Sequence, residues 1–240
     1  MSLFMPLSLR CPKCGHVNVA DVAGSINADR RPDLRQAILD DNFQDTVCSK
    51  CNTSFRAECD LNLLDMGRRQ WIAALPARRM VDHLELEAGS LKAFEKSYGS
   101  GGSPAAREMG AGLQMRTVFG WPALREKLLL RELGLDDVVL ECMKVELLRR
   151  LQDAPLSPGN ELRLLNLRES TMFMAWVDTL TEEQLETLQV DRALYDAIAA
   201  DPEGWAEVRA ALTRGPFVDM QRLFMGAGRE TPIGPQAIAA

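Results

Sequence analysis

The sequence predicts an α+β fold, and three observations carry that expectation. Two Cys-x-x-Cys pairs, Cys11/Cys14 and Cys48/Cys51, flank a short amphipathic segment. After the second pair, Phe55, Ala57, Cys59, Leu61 and Leu63 alternate with Arg56, Glu58, Asp60 and Asn62, the period of a strand with one buried and one wet face. Beyond residue 105 the apolar residues recur mostly at helical spacing, with one hairpin pattern at 161–177.

The cysteine pairs set the first domain. An x-x spacing lets a tight turn aim two thiolates at one ion, so Cys11, Cys14, Cys48 and Cys51 read together as a tetrahedral Zn2+ site. Gly15 and Asn52 occupy matching places after the two pairs, and both tolerate the positive φ that such turns demand. Four thiolates fill a tetrahedral ion and leave no position for water or substrate, so the implied role is structural.

Residues 17–22 read as a strand, and 24–31 as a loop. Pro32, pre-set for a first helical position, opens a helix over 33–39 with Leu34, Ala37 and Ile38 on one face. Residues 43–47 return as a strand, and 70–75 add another, stopped by Pro76. Residues 8–76 are thus predicted to form a zinc-ribbon-like antiparallel sheet with an inserted helix. A helix follows over 77–98, with Met80, Leu84, Leu91 and Phe94 as inward candidates, and 99–104 has the composition of a flexible Gly/Ser linker.

Residues 105–225 are predicted to be a mainly helical α+β region. Residues 115–119 suit a short strand, and 122–133 a helix closed by Gly134. A second helix, 136–151, has Asp136 and Asp137 at its start and Arg149 and Arg150 at its end, as the macrodipole favours, with Val139, Cys142, Met143 and Leu147 as its apolar stripe. After a turn at 153–160, strands at 161–167 and 171–177 make a hairpin. Its apolar residues, among them Leu162, Leu164, Met172, Phe173, Met174 and Trp176, exceed the needs of one face, which implies either a self-association surface or cover of both faces by the chain's own helices. Thr181-Glu182-Glu183-Gln184 has the pattern of a capping box opening a short helix. Asp191 suits the cap of the next, 205–212 a third, and 217–225 a last ordered segment before a flexible tail at 226–240.

Composition excludes several functions. The 240 residues are 46% apolar and 26% charged, with net charge −6, a globular balance with no general attraction for nucleic acid or anionic membrane. Residues 1–71 carry nine basic and nine acidic residues, and 178–207 nine acidic against one basic. Lys13 and Lys50, one in each cysteine turn, could touch a phosphate but make no basic face. No signal-peptide pattern and no apolar run of about 18 residues is present, so the expectation is a soluble protein of the reducing cytoplasm, without a membrane partner. Only His16 and His83 are available for histidine chemistry, and no catalytic residue is assigned. Cys59 and Cys142 fall on apolar faces and read as core, while Glu182, Glu183 and Glu186 read as an exposed helical face.

The stretch Cys11-Pro12-Lys13-Cys14-Gly15-His16, the intervening residues 32–39, the pair Cys48-Ser49-Lys50-Cys51 and the Phe55 strand resemble the CpXC family of bacterial and archaeal proteins. The run from Val118 to Asp137 is similar to its longer members, so the resemblance covers roughly residues 9–150. It implies the zinc domain and no particular activity; Asn52 replaces a second-turn glycine, a departure that leaves the ligands intact. The expected function is a non-enzymatic protein-interaction module of unknown process. The alternatives are a nucleic-acid-associated regulator using the ribbon, and an enzyme with a non-zinc site between the two halves.

Overall fold

The computed structural model describes residues 2–151, 157 and 159–225. β1 (Leu3–Arg10) and β2 (Val17–Asn27) form an antiparallel hairpin with the first cysteine pair in its turn. α1 (Pro32–Leu39) leads to β3 (Asp45–Val47) and β4 (Ser54–Arg56), a second hairpin with the second pair in its turn. β5 (Leu61–Asp65), β6 (Gln70–Leu75) and β7 (Gln114–Phe119) join the first hairpin in a five-stranded sheet of order β1-β2-β5-β6-β7.

Mixed α+β character is therefore observed, but the first sheet differs from the expectation for 8–76. It is mixed: β2 pairs β5 in parallel, and β6 pairs β7 in parallel. β7 comes from beyond the Gly/Ser stretch, so the sheet crosses that stretch. Residues 3–10 add an unforeseen strand, and β2 continues through the expected loop because Ile26 is buried between Ser25 and Asn27, which pair with β5. The alternating run 55–63 is two strands in two sheets, broken where the Ala57 carbonyl accepts the Trp121 indole N–H and Glu58 accepts the Ala77 amide.

A 3-10 turn at Ala77–Asp82 precedes α2 (His83–Tyr98), and α3 (Pro104–Gly110) follows closely. Residues 99–103 are a tight turn, with the Ser103 hydroxyl accepting the Ala106 amide as an N-cap. Gly110 is required there, because a Cβ would meet the Tyr98 carbonyl oxygen at 2.3 Å. Met80 is buried and Phe94 stacks edge-on against Trp71, as expected, but Leu84 and Leu91 are 44% and 46% exposed. The inward face of α2 is instead polar: buried Glu87 accepts the Phe217 amide at 2.7 Å and pairs with Arg222.

α4 (Trp121–Glu132) covers the sheet together with α1, placing Leu124 and Leu128 against Ile26, Ile38, Leu63 and Ile72. α5 (Asp137–Arg150) begins a second core with β8 (Asn160–Arg168), β9 (Thr171–Asp178), β10 (Gln184–Asp191), α6 (Arg192–Ala200) and α7 (Ala206–Leu212). The predicted hairpin thus supplies the central strand and one edge of a three-stranded antiparallel sheet of order β10-β9-β8. The capping-box expectation fails: residues 184–191 pair along β9, and Leu188 and Val190 turn inward at strand spacing. Of the hairpin's apolar residues, Leu162, Leu164, Met172, Met174 and Trp176 are buried in the chain's own core, while Phe173 is half-buried with the Arg168 guanidinium over its ring. The turn expected at 153–160 falls largely, and the tail at 226–240 wholly, outside the described residues.

Between the two cores lies a buried ionic network. Lys144 Nζ sits 2.8 Å from Glu126 and 3.0 Å from Glu141. Arg163 pairs with Glu126, Asp219 and Glu161. Lys127 lies 3.0 Å from Asp137, which also takes Arg116 at 2.7 Å. Five carboxylates face four cations, and burial pushes both Glu141 and Glu161 up to about 7. These pairs fix α4, α5, β8 and the segment around Asp219 to one another.

Candidate metal centre

The two cysteine turns are built alike. The Cys11 amide donates to the His16 carbonyl at 2.8 Å and the Gly15 amide to Cys11 at 2.9 Å. In the second turn the Cys48 amide donates to Thr53 and the Asn52 amide to Cys48, each at 2.9 Å. Gly15 has φ of 69° and Asn52 of 56°, so both take the left-handed conformation read from their places in the sequence.

The tips of the hairpins meet. Cys11 Sγ is 3.6 Å from Cys51 Sγ, Cys14 Sγ is 3.6 Å from Cys48 Sγ, and all four sulfurs lie within 4.8 Å of one another. A tetrahedral ion with bonds of about 2.3 Å to sulfur separates its ligands by roughly 3.8 Å, so the donor set fits such an ion. Cys11 and Cys48 are buried, Cys51 is half-buried and Cys14 exposed. Among the described residues this is the one cluster of its kind.

Electrostatics favour a cation at this point. Burial raises the Cys48 thiol, but the Lys50 and Cys51 amides and Asn18 outweigh it and hold the group down to about 6. Cys14 is pulled down by the His16 amide, yet burial and the three neighbouring sulfurs push it up to about 11. Like charges this close cannot all form unaided, whereas a divalent ion lets four thiolates coexist. The Thr53 hydroxyl, 3.2 Å from Cys51 Sγ, can donate to that thiolate, and Asn18 braces the second turn by accepting the Ser49 amide at 2.9 Å. Nothing in the sequence marks Asn18, because a polar residue inside a strand pattern carries no sign of a long-range contact.

The remaining candidates lie elsewhere. Cys142 is buried in the second core. Cys59 Sγ meets Gln44 and the Ala23 carbonyl, outside the cluster, and burial raises its thiol. His16 is exposed, and His83 is buried against Phe217. Glu182, expected on a helix, sits in the β9–β10 turn and reaches Arg56 at 2.8 Å, joining Asp41 and Asp45 around that guanidinium.

A cleft of about 940 Å³ adjoins the metal centre, between the first hairpins and the β9–β10 turn. Its charged residues are mostly paired internally: Arg78 with Glu58, Arg79 with Asp60 and Arg56 with Glu182. Arg10, on the wall beside Pro12, is exposed and makes no carboxylate pair among the described residues, its only side-chain bond going to the Gly15 carbonyl at 3.3 Å.

Two hairpins that each offer a cysteine pair to one point define a protein able to hold a metal ion through four sulfurs. The chain belongs to the CpXC family: the family model described as CpXC protein matches residues 9–144, more than half its length. The match stops within α5, so the three-stranded sheet lies outside it. No curated protein and no solved structure matches the chain. No helix among the described residues is long and apolar enough to cross a membrane.

Proposed function

We propose that this chain is a zinc-stabilised, non-enzymatic protein-interaction module of the cytoplasm, with Cys11, Cys14, Cys48 and Cys51 holding a structural Zn2+ in a ribbon-like pair of hairpins. The convergence of four cysteine sulfurs within 4.8 Å carries this reading. The donor set is all sulfur, which suits zinc, and it uses every tetrahedral position, so the ion has no site for substrate. The bound ion supplies a cross-link between two hairpins that otherwise lack a large core at their tips. Metal affinity in modules of this kind is largely folding free energy, on the order of 10 kcal/mol.

The cleft between the halves supports binding rather than catalysis. Its side chains include no histidine, and its one cysteine, Cys59, has its thiol raised. Three of its four arginines are held by carboxylates, which weakens the case for a polyphosphate backbone. The test is capture of partners from native extract by the full chain and by Cys48→Ser/Cys51→Ser, alongside metal analysis of both. Partner-specific recovery by the zinc-loaded chain supports the reading. Turnover of a substrate in the cleft, or salt-sensitive retention on DNA or RNA with no protein partner, overturns it.

A further inference from the structure

We propose that the cleft beside the metal centre is a slot for an extended peptide of a protein partner, which adds as a sixth strand to the free edge of β1 and places an aspartate or glutamate against Arg10. This deepens the interaction-module reading and rests on it.

The backbone supplies the first part. Among the described residues, β1 is the terminal strand of its sheet and pairs only with β2. In an antiparallel ladder, bonded and unbonded residue pairs alternate. The Cys11 amide bonds to His16 across the turn, so Leu9, Leu7 and Met5 fall on bonded pairs, and Arg10, Ser8 and Pro6 on unbonded ones. Pro6 agrees with this parity, since it has no N–H to give to β2. Ser8 and Arg10 therefore turn their N–H and C=O away from β2. Both residues line the cleft, and no backbone partner takes these groups among the described residues. Exposed strand edges of this kind accept an added strand through main-chain hydrogen bonds.

The side chains define the occupant. Arg10 is the one cleft arginine without a carboxylate, so its complement is an acidic residue of the incoming strand. Phe55, packed with Leu7 and Leu9 on the other face of β1 from Arg10, and the 72% exposed Leu180 suit an apolar residue next to the acidic one in the incoming strand. A cleft of about 940 Å³ accommodates several residues of extended chain. Pro6 interrupts the same edge towards residue 3, which confines pairing to the cleft end.

The experiment uses the full zinc-loaded chain and random dodecapeptides displayed on phage. Selected peptides are synthesised with a fluorescein label and titrated by anisotropy. The expected peptides are rich in β-branched residues and carry an Asp or Glu. Ser8→Pro removes an outward N–H while sparing the ladder to β2, and Arg10→Glu reverses the charge. Each should weaken binding at least tenfold with metal content and thermal midpoint unchanged, and Ser8→Ala should leave affinity as it is. The proposal is overturned if no peptide is enriched, if Ser8→Pro and Arg10→Glu bind as tightly as the parent, or if the selected peptides are basic. It is also overturned if the parent chain self-associates in light scattering and Ser8→Pro separates it, because a second copy would then fill the slot. Natural partners still captured by Ser8→Pro would leave the interaction-module reading intact and remove only the slot.

Discussion

Lys144→Met is the sharpest perturbation of the buried network. Lys144 is fully buried, and methionine nearly matches its volume, so packing changes little. Its ammonium lies 2.8 Å from Glu126 and 3.0 Å from Glu141. At an effective dielectric of 20, each attraction is about 6 kcal/mol, offset by the several kcal/mol that desolvating the lysine costs. Removing the cation leaves a buried carboxylate uncompensated, which costs about 3–5 kcal/mol. The network would then hold five carboxylates against three cations. Lys144→Met/Glu141→Gln returns the excess to one and should recover about half the loss. Urea denaturation at pH 7, followed by tryptophan fluorescence, reads both; Trp176 reports on the second core directly. The deficit of Lys144→Met should shrink at pH 5, where protons replace the missing cation. A loss under about 1 kcal/mol, or one independent of pH, would refute the assignment of this network as the clamp between the cores.

Further outcomes follow from the same geometry. Glu161 has one buried oxygen without a partner and burial disfavours its ionised form, so Glu161→Gln should stabilise the fold at pH 8, whereas both oxygens of Glu126 are engaged and Glu126→Gln should destabilise it. Glu141 and Glu161 titrate near 7 when folded, above the unfolded value near 4.3, so their contribution is full below the unfolded value and declines as pH rises from about 4.5 to 7. Asp219, held at about 2 by Arg163 and Lys144 against burial, acts oppositely, and its contribution is lost as pH falls from about 4 towards 2. Urea midpoints across pH 3–8, at saturating zinc above pH 6, check both signs; a shallower profile between pH 5 and 7 in Glu161→Gln, and a shallower one still in Glu141→Gln/Glu161→Gln, would confirm the source of the first. Gly15→Val forces a β-branched residue to φ of 69° and should weaken zinc binding about tenfold or more in competition with a chelating dye, whereas Asn52→Gly should leave it within about threefold.

Local chemistry made the cysteine cluster and most helices readable. Cys11, Cys14, Cys48 and Cys51 lie within two short turns, and their left-handed successors Gly15 and Asn52 are set by the same few residues. Pro32 and Asp136 mark helix starts through their own side chains, and both helices stand where those residues place them. What escaped depended on partners distant in the chain. Ser25 to Asn27 form a strand because Asn62 to Leu64 lie alongside. Thr181 to Gln184 carry a helix-opening pattern, yet β9 offers the following residues a ladder, and tertiary pairing outweighs a local cap. Leu84 and Leu91 sit at helical spacing on α2, but the buried Glu87–Arg222 pair claims the inward face. The Gly/Ser stretch has the composition of a linker and is a turn because α3 packs back on Tyr98. The ionic network spans residues 116–219 with no sequence pattern joining its members.

The account depends above all on the sulfur cluster holding one ion. X-ray absorption at the zinc edge, with elemental analysis of the purified full chain, tests this directly. One zinc per chain with four sulfur neighbours near 2.3 Å is the result expected, falling to substoichiometric metal in Cys11→Ser. A metal-free chain, a shell containing nitrogen or oxygen, or full occupancy retained in Cys11→Ser would contradict it.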